Sequence, residues 1–260
     1  MKVKDIIDVL EQAAPPSLQE SYDNTGLQVG DPDREATGVL LCVDLSPEVV
    51  REAVARGANM VVSHHPVLFR GLKQIVGRTL PERTVLEAIK SDVALYSCHT
   101  SIDSARGGVS AEMAERLGLR DVEVLEKKED PSVGLGAVGN LPEPLQPEAF
   151  VRLVKNMFGS PVARCSRPRE GQTISRVALC GGSGSSLIDL AVAAGADAYL
   201  TSDTSYHAFV DRRDDLFLVD IGHYESENCV KQIFYRVITE KFPNFAVHYS
   251  ETEKNPIVYL

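Results

Sequence analysis

Short apolar runs alternate with amphipathic stretches along most of the chain. The runs at 39–43, 60–63 and 93–97 have the length of buried β-strands, and the residues between the first two have helical spacing. Ser46-Pro47-Glu48 is typical of a helix start, and Gly57 is typical of a helix end. Strand, helix and strand with short connections predict βαβ units, in which functional residues follow the carboxyl ends of parallel strands.

The second half of the chain repeats this pattern. Residues 39–63 align without gaps on residues 177–201, and Cys42 then falls on Cys180. A match of this length indicates an internal duplication. We therefore predict an α/β fold of two related α/β domains, each with a mixed, largely parallel sheet flanked by helices.

The alignment also predicts where the repeats divide. The first α/β repeat is expected at 1–126 and the second at 127–260, with a connector at about 126–144. The C-terminal segment is a candidate to pack back on the first half. Two halves of one ancestral unit tend to leave a shared cleft, which is a natural place for a site.

Four of the six histidines lie at or just beyond predicted strand ends. The six are His64, His65, His99, His207, His223 and His248. His99 and His223 each have a carboxylate four residues later, Asp103 and Glu227. An isolated histidine is usually a hydrogen-bonded polar residue, but this grouping favours a metal site. Imidazoles and carboxylates without thiolates suit Zn²⁺, Mn²⁺ or Fe²⁺ and do not select among them.

Three motifs carry a family resemblance: Ser63-His64-His65-Pro66, His99-Thr100-Ser101-Ile102-Asp103 and Gly222-His223-Tyr224-Glu225-Ser226-Glu227. They resemble the hallmarks of the GTP cyclohydrolase 1 type 2 homologs, also called the dinuclear-metal-centre hexameric proteins. Tyr22–Leu27 and Gly134–Gly139 resemble further landmarks of that family, so the likeness runs nearly end to end.

The resemblance implies a site for two divalent metal ions in the cleft between the halves. Its implied ligands are His64, His65, Asp103, His223 and Glu227, with Glu227 bridging the ions. In this assignment His65 and Asp103 complete one ion's site, and His64 and His223 complete the other. His99 and His207 match family positions near the site and are candidates for supporting the ligands or transferring protons.

Two features depart from the family pattern. Family members often have Thr-Gly-Asp or Thr-Gly-Glu after the strand of the second half, where this chain has Thr201-Ser202-Asp203. Larger relatives carry a domain inserted between the halves, for which the short connector leaves no room. The chain resembles the short form of the family, and no function of the insert transfers to it.

The resemblance implies a metal-dependent hydrolase that acts on a nucleotide or a phosphorylated small molecule. A GTP cyclohydrolase I-type reaction would open the guanine imidazole ring with water and release formate. Two alternatives stay open: a non-catalytic metal-binding protein for storage, delivery or sensing, and a ring-shaped interaction protein. The family also implies a homo-oligomer, a hexamer by resemblance.

Two glycine-rich stretches could be taken for nucleotide-binding loops. Gly134-Leu135-Gly136-Ala137-Val138-Gly139 fits G-x-G-x-x-G, but Leu141-Pro142-Glu143-Pro144 follows where a helix is required, so we reject a dinucleotide fingerprint. Gly181-Gly182-Ser183-Gly184-Ser185-Ser186 follows a strand and precedes a helix, so its amides could hold a phosphate. A tight turn with Ser185 or Ser186 capping the helix is the simpler interpretation.

Composition limits the binding partners and the cellular compartment that we expect for the protein. The formal charge is −10, and no stretch combines basic and aromatic residues, so nucleic-acid binding is not expected. The five cysteines are odd in number and never spaced Cys-x-x-Cys, which favours reduced thiols in the cytoplasm. No apolar run has the length of a membrane span, and the first residues do not resemble a signal peptide.

Overall fold

The computed structural model describes residues 1–212 and 214–260 and divides into two compact units. The first unit takes Met1–Ala105 and Val230–Lys254, and the second takes Arg106–Cys229 and Asn255–Leu260. Each unit contains one β-sheet with helices around it. The predicted class, two α/β domains with sheets flanked by helices, is confirmed.

The described elements are numbered in chain order. The first unit contains α1 (Val3–Ala13), a 3₁₀ turn (Pro16–Leu18), β1 (Gly26–Val29), β2 (Val39–Cys42), α2 (Pro47–Ala55), β3 (Met60–Ser63), α3 (Leu80–Ser91), β4 (Ala94–Ser97), α4 (Thr100–Ser104), α10 (Val230–Lys241) and β11 (Val247–Tyr249). The second contains α5 (Val109–Arg116), β5 (Arg120–Lys127), β6 (Gly134–Leu145), α6 (Pro147–Phe158), β7 (Arg164–Cys165), β8 (Ile174–Leu179), a 3₁₀ turn (Ser185–Leu187), α7 (Ile188–Ala193), β9 (Ala198–Thr201), α8 (Tyr206–Asp211), β10 (Phe217–Asp220) and α9 (His223–Glu227).

The first sheet is largely parallel and has the strand order β1-β4-β3-β2-β11. β2, β3 and β4 are parallel, and in register Cys42 faces Ser63, which faces Ser97. All four residues of each of these strands are buried, as expected for parallel strands covered on both faces. Because the three strands end level, the residues that follow them share one edge of the sheet.

Local sequence signals explain the helices that cover this sheet. The Ser46 hydroxyl accepts a hydrogen bond from the Val49 amide at 3.3 Å, and Pro47 opens α2. The Thr79 hydroxyl caps α3 in the same way by accepting from the Glu82 amide. Val49 and Ala53 of α2 then pack with Leu40, Val61 and Leu95 of the strands in the apolar core of the unit.

The second sheet is mixed and has the order β5-β6-β8-β9-β10-β7. β8, β9 and β10 are parallel, while β5, β6 and β7 pair antiparallel at its two sides. The stretch at 126–144, predicted to be a connector, contains most of β6. Gly134–Gly139 therefore lies in a strand that pairs on both sides, which agrees with rejecting a dinucleotide loop.

The compact units do not coincide with the predicted repeats. The helix and strand that close the first repeat, α5 and β5, belong to the second unit, where β5 pairs with β6. The helix and strand that close the second repeat, α10 and β11, belong to the first unit, where β11 pairs with β2. The division at residue 126 thus remains a prediction about the repeats. In residues 1–212 and 214–260, no helix is both long and apolar enough to cross a membrane.

Candidate metal centre

The first group of candidate ligands begins where β3 ends. His64 and His65 follow Ser63 directly, and their amides donate to the carbonyl oxygens of Cys42 and Val43 at 3.2 and 2.9 Å. Backbone pairing with the neighbouring strand thus fixes both residues. His64 is fully buried, whereas the side chain of His65 is partly exposed.

His64 and His65 could both bind a metal. In each imidazole the Nδ1 atom contacts an oxygen atom of the protein. His64 Nδ1 lies 3.0 Å from the Cys98 carbonyl oxygen, and His65 Nδ1 lies 2.8 Å from Asp44 Oδ1. A carbonyl or carboxylate oxygen only accepts, so Nδ1 carries the proton and Nε2 presents its lone pair in the neutral ring. This arrangement of ligand and supporting oxygen is common around metal-binding histidines.

The motif on α4 adds a carboxylate and a third imidazole. Asp103 Oδ1 lies 3.7 Å from His64 Nε2. His99 immediately precedes the helix, and its Nδ1 lies 2.8 Å from Asp23 Oδ1. Burial raises the pKa of Asp23, but hydrogen bonds from His99, Thr100 and Asn24 and the charge of His99 lower it well below its ordinary value.

The second unit carries the other candidate ligands on one turn of helix. His223 and Glu227 are four residues apart on α9, so they share a face, and His223 Nε2 lies 2.9 Å from Glu227 Oε2. His223 Nδ1 lies 2.6 Å from Asp203 Oδ2, which repeats the pattern of the first unit. Asp203 stands in the Thr-Ser-Asp stretch that departs from the family pattern.

Gly182 is required for the position of Glu227. A Cβ atom at residue 182 would overlap Glu227 Oε1, and the residue has a φ of +62°, which favours glycine. The Gly182 amide also donates to Ser226 Oγ at 2.9 Å. The loop after β8 therefore lets the buried Glu227 carboxylate approach the backbone closely.

The donor atoms of both units suit a divalent cation. Neutral imidazoles that present Nε2, together with carboxylates, match the preferences of Zn²⁺, Mn²⁺ and Fe²⁺. Cys98 precedes His99, but burial raises the pKa of its thiol to about 12, so it stays protonated near neutral pH. The residues present therefore fit a metal site of nitrogen and oxygen ligands.

The glycine-rich loop at 181–186 is a tight turn in which the backbone groups of Gly182 and Gly184 are hydrogen-bonded within the protein. The Gly184 amide donates to Thr201 Oγ1 at 3.0 Å, and the Gly184 carbonyl accepts from the Tyr199 hydroxyl at 2.7 Å. The Gly182 amide is hydrogen-bonded to Ser226. Two of the amides that could bind a phosphate, those of Gly182 and Gly184, therefore already have acceptors. The expected serine cap is not observed: Leu187 is the N-cap of α7 and makes no side-chain cap bond.

His207 differs from the other candidates. It lies exposed on α8, where its ring contacts Tyr206 at 5.6 Å between centroids. Over residues 1–212 and 214–260, no group of candidate ligands includes it. Its proposed part in proton transfer remains a prediction.

Sequence reasoning missed the three aspartates that hold the imidazoles. Asp23 is 76 residues from His99, Asp44 is 21 residues from His65, and Asp203 is 20 residues from His223. The only signals were that Asp23 lies in a stretch resembling a family landmark and that Asp44 and Asp203 follow strand ends.

The fold and these donors define a class: mixed α/β proteins of two units, each with histidines and carboxylates after the ends of parallel strands. The chain belongs to the Duf34/NIF3 (NGG1p interacting factor 3) family, whose sequence profile matches residues 1–256. This membership confirms the resemblance found in the motifs.

Relatives and solved structures agree with the assignment. A GTP cyclohydrolase 1 type 2 homolog of Clostridium perfringens is 37% identical, with 87% of each chain covered. One of Lactococcus lactis is 34% identical over 98% of each chain. The Bacillus cereus protein related to NIF3 has a TM-score of 0.94 at 25% identity, and Staphylococcus aureus SA1388 has 0.92 at 27%. Each of these two alignments covers 100% of this chain and 99% of the other chain.

Proposed function

We propose that this protein binds two divalent cations and uses them to hydrolyse a nucleotide or a phosphorylated small molecule. The proposed ligands are His64, His65, Asp103, His223 and Glu227. The observation that carries the proposal is the common orientation of the imidazoles. In His64, His65 and His223 an acceptor oxygen contacts Nδ1, so Nε2 is the nitrogen that would bind the ion. In His223 this Nε2 lies 2.9 Å from Glu227 Oε2, another proposed ligand atom.

The residues of the chain would prepare the site in three ways. Backbone pairing at the end of β3 places His64 and His65. Asp44 and Asp203 fix the rings of His65 and His223, which reduces the freedom lost on binding. When bound, a pair of cations supplies Lewis acidity and makes hydroxide available from water near neutral pH.

Glu227 is the proposed bridging ligand. Its side chain is only 5% exposed, and its Oε2 atom lies beside His223 Nε2. A buried carboxylate is costly unless it is paired with a positive charge, and cations supply such a charge. Two cations about 3.5–4 Å apart can share one carboxylate. Glu227 should therefore contribute to the binding of both ions.

GTP is the first substrate to test, because the relatives from Clostridium perfringens and Lactococcus lactis bear the name GTP cyclohydrolase 1 type 2 homolog. A cyclohydrolase reaction would consume water and release formate. The second candidate is a non-catalytic metal-binding protein, which the same ligands would serve. We further propose, from the family resemblance, a cytoplasmic homohexamer.

The test is a substrate screen on metal-free protein restored separately with Zn²⁺, Mn²⁺ or Fe²⁺. GTP, other nucleotides and a panel of phosphoesters are incubated with wild-type protein and with Glu227→Gln, and formate and phosphate release are measured. We expect metal-dependent turnover that is lost in Glu227→Gln. Exchangeable metal without turnover of any compound would contradict the hydrolase and favour the non-catalytic candidate.

A further inference from the structure

Two exposed aromatic rings lie near the histidines of the first unit. Tyr22, in the turn before β1, is 63% exposed, and Phe69, in the loop between β3 and α3, is 43% exposed. Their ring centroids lie 6.3 Å apart, and their planes are inclined by 58°. Two rings packed fully against each other would hide most of their surface. This pair instead keeps much of its aromatic surface open to a ligand.

The aromatic pair continues into the cluster of histidines after β3 and β4. The ring centroid of Phe69 lies 6.1 Å from that of His99, and the two rings meet edge to face. The ring centroid of His99 in turn lies 5.2 Å from that of His64 and 5.4 Å from that of His65. A planar group on a substrate bound at these histidines therefore has the aromatic pair within reach.

Hydrogen bonds fix the two segments that carry these rings. Asn24 Nδ2 donates to the Leu68 carbonyl oxygen at 2.7 Å, and the Leu68 amide donates to Gln28 Oε1 at 2.8 Å. Gln28 Nε2 closes the network by donating to the Asn24 carbonyl oxygen at 2.7 Å. The residue before Phe69 is thus held at both backbone groups by the segment that follows Tyr22. A surface arranged in advance loses less entropy when a ligand binds.

We propose that Tyr22 and Phe69 stack the heterocyclic base of a nucleotide bound at the histidines of the first unit. Because the two ring planes are inclined, a base that stacks on one ring meets the other with its edge, and aromatic groups favour both arrangements. Stacking of this kind accepts any base. A phosphorylated molecule without a planar ring gains no stacking, so the pair selects nucleotides from the two substrate classes of the proposed function. The inference rests on that function and adds the residues that recognise its substrate.

The test measures nucleotide binding by fluorescence. The probe is the triphosphate of 2-aminopurine riboside, a fluorescent purine whose emission is quenched when it stacks. It is titrated with metal-free and with Zn²⁺-loaded full-length protein. Tyr22→Leu and Phe69→Leu remove a ring but keep an apolar side chain, and Tyr22→Phe keeps the ring. Tyr206→Leu is the matched control, because Tyr206 on α8 is 75% exposed and its ring also contacts a histidine, His207. Circular dichroism checks folding.

We expect each leucine variant to bind the probe about 5–100-fold more weakly and to quench it less, as loss of one stacking ring does. Tyr22→Phe and Tyr206→Leu should bind it like wild type. Wild-type affinity and quenching in either folded leucine variant would overturn the inference, and so would a wild type that quenches the probe in neither metal state. Metal-dependent turnover in the substrate screen would then leave the proposed function intact, whereas its absence would overturn that function separately.

Discussion

At the scale of single residues, the sequence reveals candidate ligands more readily than the groups that hold them. His64, His65, His223 and Glu227 lie in short motifs beside predicted strand ends, so their chemistry is visible in the printed chain. The aspartate that holds His99 is 76 residues away, and the pairing of β1 with β4 helps to bring that region of the chain near. Such partners depend on tertiary structure, which no local pattern encodes.

Gly182→Ala should displace Glu227 and weaken metal binding. The added Cβ would meet the Glu227 carboxylate, and the positive φ would cost about 1–2 kcal/mol in any case. Gly195→Ala is the matched control, because Gly195 has a φ of +69° and open space around its missing Cβ. We expect both variants to lose thermal stability, Gly182→Ala more than Gly195→Ala, but a lower metal affinity only in Gly182→Ala. Equal affinities would contradict the part given to Gly182.

At the scale of elements, strands and helices follow their sequence signals closely. The caps at Ser46 and Thr79 begin α2 and α3, and the buried strands β2, β3 and β4 coincide with the apolar runs. The segment after β11 has no such signal, since groups far away in the chain hold it. The Ser250 amide donates to the Leu41 carbonyl oxygen at 2.9 Å. Glu52 of α2 accepts hydrogen bonds from Ser250, Glu251 and Thr252.

A second contact ties that segment to the loop after β2. Glu253 Oε1 accepts from the amides of Val43 and Asp44 at 2.7 and 2.5 Å, and Oε2 pairs with Lys231 Nζ at 3.1 Å. Both side chains of this ion pair are buried. Because Asp44 in turn holds His65, the C-terminal segment supports the candidate metal centre of its own unit.

Glu52→Gln should lower stability near neutral pH and matter less in acid. Burial raises the pKa of Glu52, but hydrogen bonds from the Glu251 amide, the Ser250 hydroxyl and the Thr252 amide bring it to about 2, from an ordinary 4.5. A lowered folded-state pKa stabilises the protein above pH 4.5, and this contribution is lost as the pH falls towards 2.

The measurement for Glu52 is thermal unfolding of the metal-free protein at several pH values. At pH 7 we expect Glu52→Gln to cost about 1.5–3 kcal/mol, the usual range for hydrogen bonds to a charged group. The difference from wild type should shrink below pH 4.5. The exposed Glu35 of the same unit provides the control Glu35→Gln, which should unfold like wild type. A pH-independent difference would rule out the charge of Glu52 as the cause.

At the scale of the whole molecule, the duplication predicts the fold class but not the compact units. Each repeat ends in a helix and a strand that join the sheet of the other unit, as α5 with β5 and α10 with β11 show. Pairing partners of a closing strand lie far away in the chain, so an alignment of repeats cannot identify them. The C-terminal segment, a candidate to pack on the first half, divides between the units: Val230–Lys254 belongs to the first and Asn255–Leu260 to the second.

The proposed assembly can be measured directly. A chain of 28.3 kDa that forms a hexamer, as the family resemblance implies, should sediment at about 170 kDa. Sedimentation equilibrium at micromolar concentration, with and without added Zn²⁺, provides the test. A mass near that of one chain under both conditions would contradict the hexamer without affecting the proposed ligands.

The most direct test of the central claim is the metal content of protein purified without added metal. Elemental analysis would compare wild type with His64→Asn, His65→Asn and Glu227→Gln, and circular dichroism would confirm that each is folded. We predict two divalent ions per chain in wild type and a greater loss in Glu227→Gln than in either histidine variant, because Glu227 is proposed to serve both ions. Equal metal content in folded wild type and Glu227→Gln would contradict the claim.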